Sequence, residues 1–285
     1  MKSNLQEKMH NYTPNCITGE NIITLVGMSG CGKTSLSQKL AMENFFHYSI
    51  DYEIAHTHLR EKIRQSVIEK IKTQSIFFKE LYEKFAIKLD LSLTFDDLEV
   101  IATFVIPMNE NGKIPLGIFL EHQELYKKAE LLATMEFFPK AKIAFKNYGI
   151  LGFINDTTGS ICEIVLENDE LIDILKNRTK VVYLQTDESH KQMLISRSRE
   201  KVKPILYNRK FLMENLREYY NSESFLPEFE IEKEFFLWLF PRLVDFRQKN
   251  YEELIQRTNG IKIDVSILNK VNNANDLMNL IYAKS

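Results

Sequence analysis

The sequence predicts an α/β protein whose parallel sheet is covered by helices on both faces and interrupted by one long helical block. Three observations predict it. Short runs of β-prone residues alternate with helix-forming stretches both before residue 55 and after residue 148. The first run, Ile22-Ile23-Thr24-Leu25-Val26, stops at a glycine-rich turn that opens a helix. From Ala55 to Tyr148 the pattern becomes long and charged, as in LREKIRQSVIEKIKTQ and HQELYKKAELLATMEFF, with apolar residues three and four apart.

In chain order, residues 1–20 are polar and aperiodic and read as a loose arm. After the first strand, Thr34 to Glu43 reads as a helix with Leu36, Leu40 and Ala41 on one face, and Phe45 to Asp51 as a second strand. Inside the helical block, Phe104 to Phe119 carries Asn-Gly and two prolines without a period, and reads as a loop. The α/β rhythm resumes with a strand from Gly149 to Asp156, a helix from Ser160 to Asn177, the strand Val181 to Leu184 and a basic helix from Ser189 to Lys201. Pro204 breaks the chain. Two more helices follow, the second bent near Pro241, then a strand from Ile261 to Val265 and a closing helix. The core is thus expected at 21–54 and 149–285, with 55–148 inserted between its halves.

Composition bounds the function classes. The chain has 285 residues, 44% hydrophobic and 27% charged, which is ordinary globular composition. A net charge of −2 gives no reason to expect nucleic-acid binding, which needs a basic face. Cys16, Cys31 and Cys162 are scattered, which suits a reducing, cytoplasmic setting. The N-terminal residues carry no apolar segment of a secretory signal, and the run Phe235 to Phe240 is too short to cross a bilayer and reads as core packing.

Gly27-Met28-Ser29-Gly30-Cys31-Gly32-Lys33-Thr34 fills every fixed position of G-x-x-x-x-G-K-[ST], between a predicted strand and a predicted helix. Glycines let successive backbone N–H groups turn inward around phosphate oxygens, and the helix start adds partial positive charge. Residues Gly27 to Thr34, with Ser35, are therefore the expected ATP-binding set. Lys33 would reach the β- and γ-phosphates and Thr34 would offer its hydroxyl to Mg²⁺. Cys31 reads as a small residue that fits the loop. His56-x-His58 is not expected to bind metal, because residues two apart on a helix point away from each other.

Beyond the loop, several segments in shared order resemble shikimate kinase, a P-loop NTPase of the nucleoside-monophosphate kinase type. They are Leu25 to Thr34, Ser49-Ile50-Asp51-x-x-Ile54, Val181 to Leu184 with its basic helix, Lys203-Pro204-Ile205-Leu206, and Arg247-x-x-x-Tyr251. The whole chain also looks similar to a bacterial group of P-loop ATPase proteins. The resemblance implies a three-layer P-loop fold, ATP and Mg²⁺ as cofactors, and transfer of phosphate to a small hydroxylated acceptor. The chain departs from that family in three places. One glycine remains in Asp156-Thr157-Thr158-Gly159-Ser160 where the family has three, Ser49 replaces an acid, and Lys203 replaces an arginine. These departures, with the long insertion, point to an acceptor other than shikimate.

Roles follow from chemistry and from that resemblance. Asp51 is the expected acid that orients the acceptor hydroxyl or takes its proton. Asp156 is expected to join Thr34 at Mg²⁺, with an N-cap as its plainer reading. Thr157, Gly159 and Ser160 are expected along the substrate side. Arg197 and Arg199, with Lys203 at the nucleotide, are expected to stabilise charge on the moving phosphoryl group, or else form a solvated helix face. Arg247 is expected to grip an anionic group of the acceptor, or to form a surface ion pair. Pro115-Leu116 with Glu121, His122 and Gln123 is a candidate acceptor wall. A nucleotide-dependent ATPase switch acting on a protein is the alternative function, and the chain is expected as a monomer or homodimer.

Overall fold

The computed structural model describes residues 22–94, 99–200 and 206–283. The expected N-terminal arm, Lys201, Lys203 and Pro204 lie outside the described residues. Seven strands are described: β1 (Ile22–Val26), β2 (Phe45–Ser49), β3 (Lys113–Pro115), β4 (Gly152–Asp156), β5 (Lys180–Gln185), β6 (Glu230–Glu232) and β7 (Ile261–Asp264). Five of them form a parallel sheet in the order β2-β4-β1-β5-β7.

Helices cover both faces. On one, Ile23, Leu25, Ile154, Val182, Leu184 and Ile263 pack against Leu36 and Leu40 of α1 (Lys33–Ala41) and Leu277 and Ile281 of the C-terminal helix (Ala274–Tyr282). On the other, Ile22, Val26, Phe153, Val181 and Tyr183 meet residues of the helical block and of the helices after β4. The alternation of odd and even strand residues between the two clusters is the period-two signature of a sheet covered on both sides.

The second strand is shorter than the sequence suggests. Ser49 caps a helix by accepting a bond from Tyr52 N at 3.2 Å, so Asp51 stands in the first turn of α2 (Ile50–Glu53) rather than at a strand end. A π-turn (Ile54–His58) leads to α3 (Arg60–Gln74), α4 (Ile76–Glu83) and α5 (Glu99–Val105). The segment read as a loop instead contains a turn built on Asn109, whose Oδ1 accepts from the Asn111 and Lys113 amides, and then β3. β3 pairs antiparallel with β6, far along the chain, and no local signal announces that pairing.

α6 (Leu116–Tyr148) is 33 residues long, about 50 Å at 1.5 Å per residue. It ends at Gly149, whose φ of 59° is the left-handed cap, so β4 begins three residues later than expected, at Gly152. The helix expected from Ser160 to Asn177 is two, α7 (Ile161–Val165) and α8 (Asp169–Arg178), because Asn168 accepts a bond from Leu171 N and starts a new helix. Then come α9 (Glu188–Glu200), α10 (Arg209–Tyr220) and α11 (Lys233–Thr258). Phe235, Phe236, Leu239 and Phe240 of the apolar run are buried, as their sequence predicts. No described helix is long and apolar enough to cross a membrane.

Candidate functional site

The strand order puts the candidate groups at the carboxyl end of the sheet. Asp156, last residue of β4, pairs in register with Leu25 of β1 on one side and Ser49 of β2 on the other. The turn after β1 and the helix after β2 therefore both open beside it, at the carboxyl ends of the strands where open α/β sheets take their ligands.

The turn after β1 has the backbone of an anion cradle. Gly27, Gly30 and Gly32 have φ of 146°, 88° and 99°, values that favour glycine. A Cβ on Gly27 would come within 2.8 Å of the Leu184 carbonyl oxygen. Gly32 is the N-cap of α1 and carries no side chain to cap the first turn, while Thr34 and Ser35 are exposed there. Lys33 is buried, and its ammonium donates to the carbonyls of Gly27 at 2.8 Å and Met28 at 3.1 Å. Cys31 is buried too, and burial pushes its thiol up, away from thiolate chemistry.

Asp156 is 3% exposed, and its Oδ2 lies 3.0 Å from His47 Nε2. His47 was not singled out in the sequence; a histidine inside a strand, on the side that faces α1, is the signal. Asp51 is half-buried. Its carboxyl is pushed up to about 6 by burial and by Asp156, against the pull of Lys33 and a hydrogen bond from Tyr126. Lys33, Asp51 and Asp156 thus share one electrostatic environment.

The acceptor-side assignments need correction. Thr157 is buried and its hydroxyl donates to Leu25 O at 2.7 Å, so it fastens the turn to β1. Ser160 is buried with its hydroxyl 3.0 and 2.9 Å from the two oxygens of Glu130, and Thr158 also bonds that carboxyl. Gly159 presses on the glycine-rich turn: a Cβ there would lie 2.6 Å from Ser29 N. Arg247 is not at the surface. It is 2% exposed and donates to Glu163 Oε1 at 2.5 Å, to Gly159 O at 2.8 Å and to Leu206 O. Burial works to lower its basicity, but its surroundings, Glu163 foremost, together raise it and keep the guanidinium charged. Its guanidinium is committed to the protein rather than to an acceptor.

The candidate wall residues of α6 take three different settings. Glu121 is exposed, His122 stacks on Phe104 and bonds its carbonyl, and Gln123 accepts from Tyr207 N at 2.8 Å. Tyr126 and Glu130 are the α6 residues that reach Asp51 and the turn after β4. Glu130 is fully buried, and burial pushes its carboxyl up to about 8 while the two hydroxyls pull the other way. Its sequence signal is an acid on the buried face formed by Tyr126, Ala129, Ala133 and Phe137.

Arg197 and Arg199 are exposed in the last turn of α9, and among the described residues nothing joins them to Lys33, Asp51 or Asp156. Lys203 lies outside the described residues. His56 stacks on Tyr52 while His58 faces Glu136, so the two rings diverge. No protein-family model and no curated protein matches the chain.

Proposed function

We propose that the protein is an ATP-dependent phosphotransferase acting on a hydroxyl group of a small molecule other than shikimate. The observation that carries this reading is the convergence, at the carboxyl end of the sheet, of a glycine cradle with its lysine and of an aspartate raised towards neutrality. The adjacency of β4 to β1 and the ordered resemblance to shikimate kinase support it.

The residues fit a triphosphate and Mg²⁺. The left-handed glycines and the uncapped start of α1 suit phosphate oxygens, and Thr34 with Asp156, whose Oδ2 lies against His47 Nε2, offers the ion oxygen ligands. ATP would supply the phosphoryl group, with Mg²⁺ neutralising charge on it. Lys33 holds phosphate and stabilises charge as it develops. Asp51 accepts the acceptor's hydroxyl proton, and a group raised to about 6 is ionised yet still basic near neutral pH.

That assignment sets a pH dependence. Only the ionised Asp51 accepts a proton, so turnover on the acceptor should rise as pH climbs through about 6 and level off above it. Asp51→Asn should lose that limb and about 10²- to 10⁴-fold in kcat. Incubation of purified protein with ATP, Mg²⁺ and a metabolite pool, read by mass spectrometry, supplies the assay. Phosphorylated organic product equal to the ADP formed supports the proposal. ADP formed with no such product would support the ATPase switch instead.

A further inference from the structure

Between the helical block and the glycine-rich turn runs a continuous set of buried polar contacts. Glu130, on α6, holds the hydroxyls of Thr158 and Ser160. Between those two residues lies Gly159, whose backbone packs so closely on Ser29 that no side chain fits. The Gly159 carbonyl receives Arg247 Nη1, and it lies 3.0 Å from Tyr251 Oη. The same Tyr251 oxygen lies 3.0 Å from Gly27 O, the carbonyl that also receives Lys33 Nζ. One tyrosine hydroxyl thus ties the first residue of the phosphate turn to the turn that α6 grips.

Resting on the phosphate-loop reading above, we propose that Glu130 and Tyr251 are positioning residues that set the phosphate turn for nucleotide. Neither touches the nucleotide in this reading. Glu130 fixes the 157–160 turn from the helical block; Tyr251 transmits that placement to Gly27, and Gly159 passes it directly to Ser29. The insertion is therefore a structural partner of the phosphate turn. A polar clamp suits this task because a satisfied buried hydrogen-bond network rigidifies and specifies one arrangement.

Tyr251→Phe separates positioning from folding. The ring stays stacked on Tyr183 at a centroid distance of 5.0 Å. Both carbonyls keep a donor when the hydroxyl is lost, Gly27 O from Lys33 and Gly159 O from Arg247. The thermal midpoint should therefore move little, while the Kd for a fluorescent ATP analogue should rise about tenfold, the size of one lost hydrogen bond. Gly159→Ala, which drives a methyl against Ser29 N, should weaken binding by at least as much. Glu130→Ala should also raise Kd in the folded fraction, and Glu130→Gln, which keeps the shape and an acceptor for the hydroxyls, should restore it. That rescue is a readout a purely structural role would not give.

Unchanged Kd in Tyr251→Phe and Gly159→Ala overturns the proposal, as does a Glu130→Gln variant that binds no better than Glu130→Ala. Lys33→Ala runs in parallel. If it binds the analogue as tightly as the unaltered protein, or if neither binds, the phosphate-loop reading itself fails and this proposal falls with it.

Discussion

Lys33→Ala is expected to lower ATP turnover by about three orders of magnitude, the upper range for removing one preorganised cationic or hydrogen-bonding group from a charge-stabilising site. The structure makes this a clean test. The lysine is buried at the glycine turn, and the bonds it makes are to the turn's own carbonyls of Gly27 and Met28. Gly27 O retains Tyr251 when the ammonium is gone, so the cost to folding should be about 1 kcal/mol, one ordinary hydrogen bond. Thermal unfolding and titration of a fluorescent ATP analogue measure the two effects separately. Turnover within a few-fold of the unaltered protein would sink the assignment of this turn to phosphate.

The largest effect on stability is expected at Arg247. Removing it leaves Glu163 as a buried, uncompensated carboxylate and takes a donor from the carbonyls of Gly159 and Leu206. Breaking such a pair costs about 3–5 kcal/mol, equivalent to about 5–8 °C in a chain of this size. Replacing both partners, Arg247→Met with Glu163→Gln, should recover most of that loss, because no buried charge is left alone. If Arg247→Ala instead unfolds at the wild-type midpoint and loses only affinity for an anionic acceptor, the residue faces substrate and its structural role is wrong. Denaturant titration of both variants decides it.

What the sequence made legible is what local chemistry controls. The glycine turn, the strand before it and the helix after it are dictated by residues within a span of twenty, and so are β5 and β7. Asp51 and Asp156 were legible as acids following β-prone runs, although Ser49 capping moved Asp51 into a helix. Arg247 was legible as a position and misread as a role, since its partner Glu163 lies 84 residues away and no periodicity marks the pairing. Glu130 and His47 were missed for the same reason: each meets its partner only once α6 and the strands have packed. A sequence displays which residues are polar on an apolar face, but the identity of the partner that makes burial tolerable is a property of the assembled fold.

The placement of the helical block bears on how the chain reaches this fold. It separates two strands that are neighbours in the sheet, so β2 and β4 meet across a long stretch of chain, their His47–Asp156 contact joining residues 109 apart in sequence. β1 and β4 are more distant still, with Thr24 and Asn155 131 residues apart. Each of these pairings closes a large loop before any strand hydrogen bond forms, whereas α6 needs only its own turns and near neighbours. Assembly is therefore expected to be hierarchical in time, with α6 amides gaining protection from exchange in pulse-labelled refolding before those of β2 and β4. The glycine turn joins β1 to α1; if it takes phosphate as proposed, it should do so only once the sheet closes, so nucleotide added early in refolding should leave the first kinetic phase unchanged.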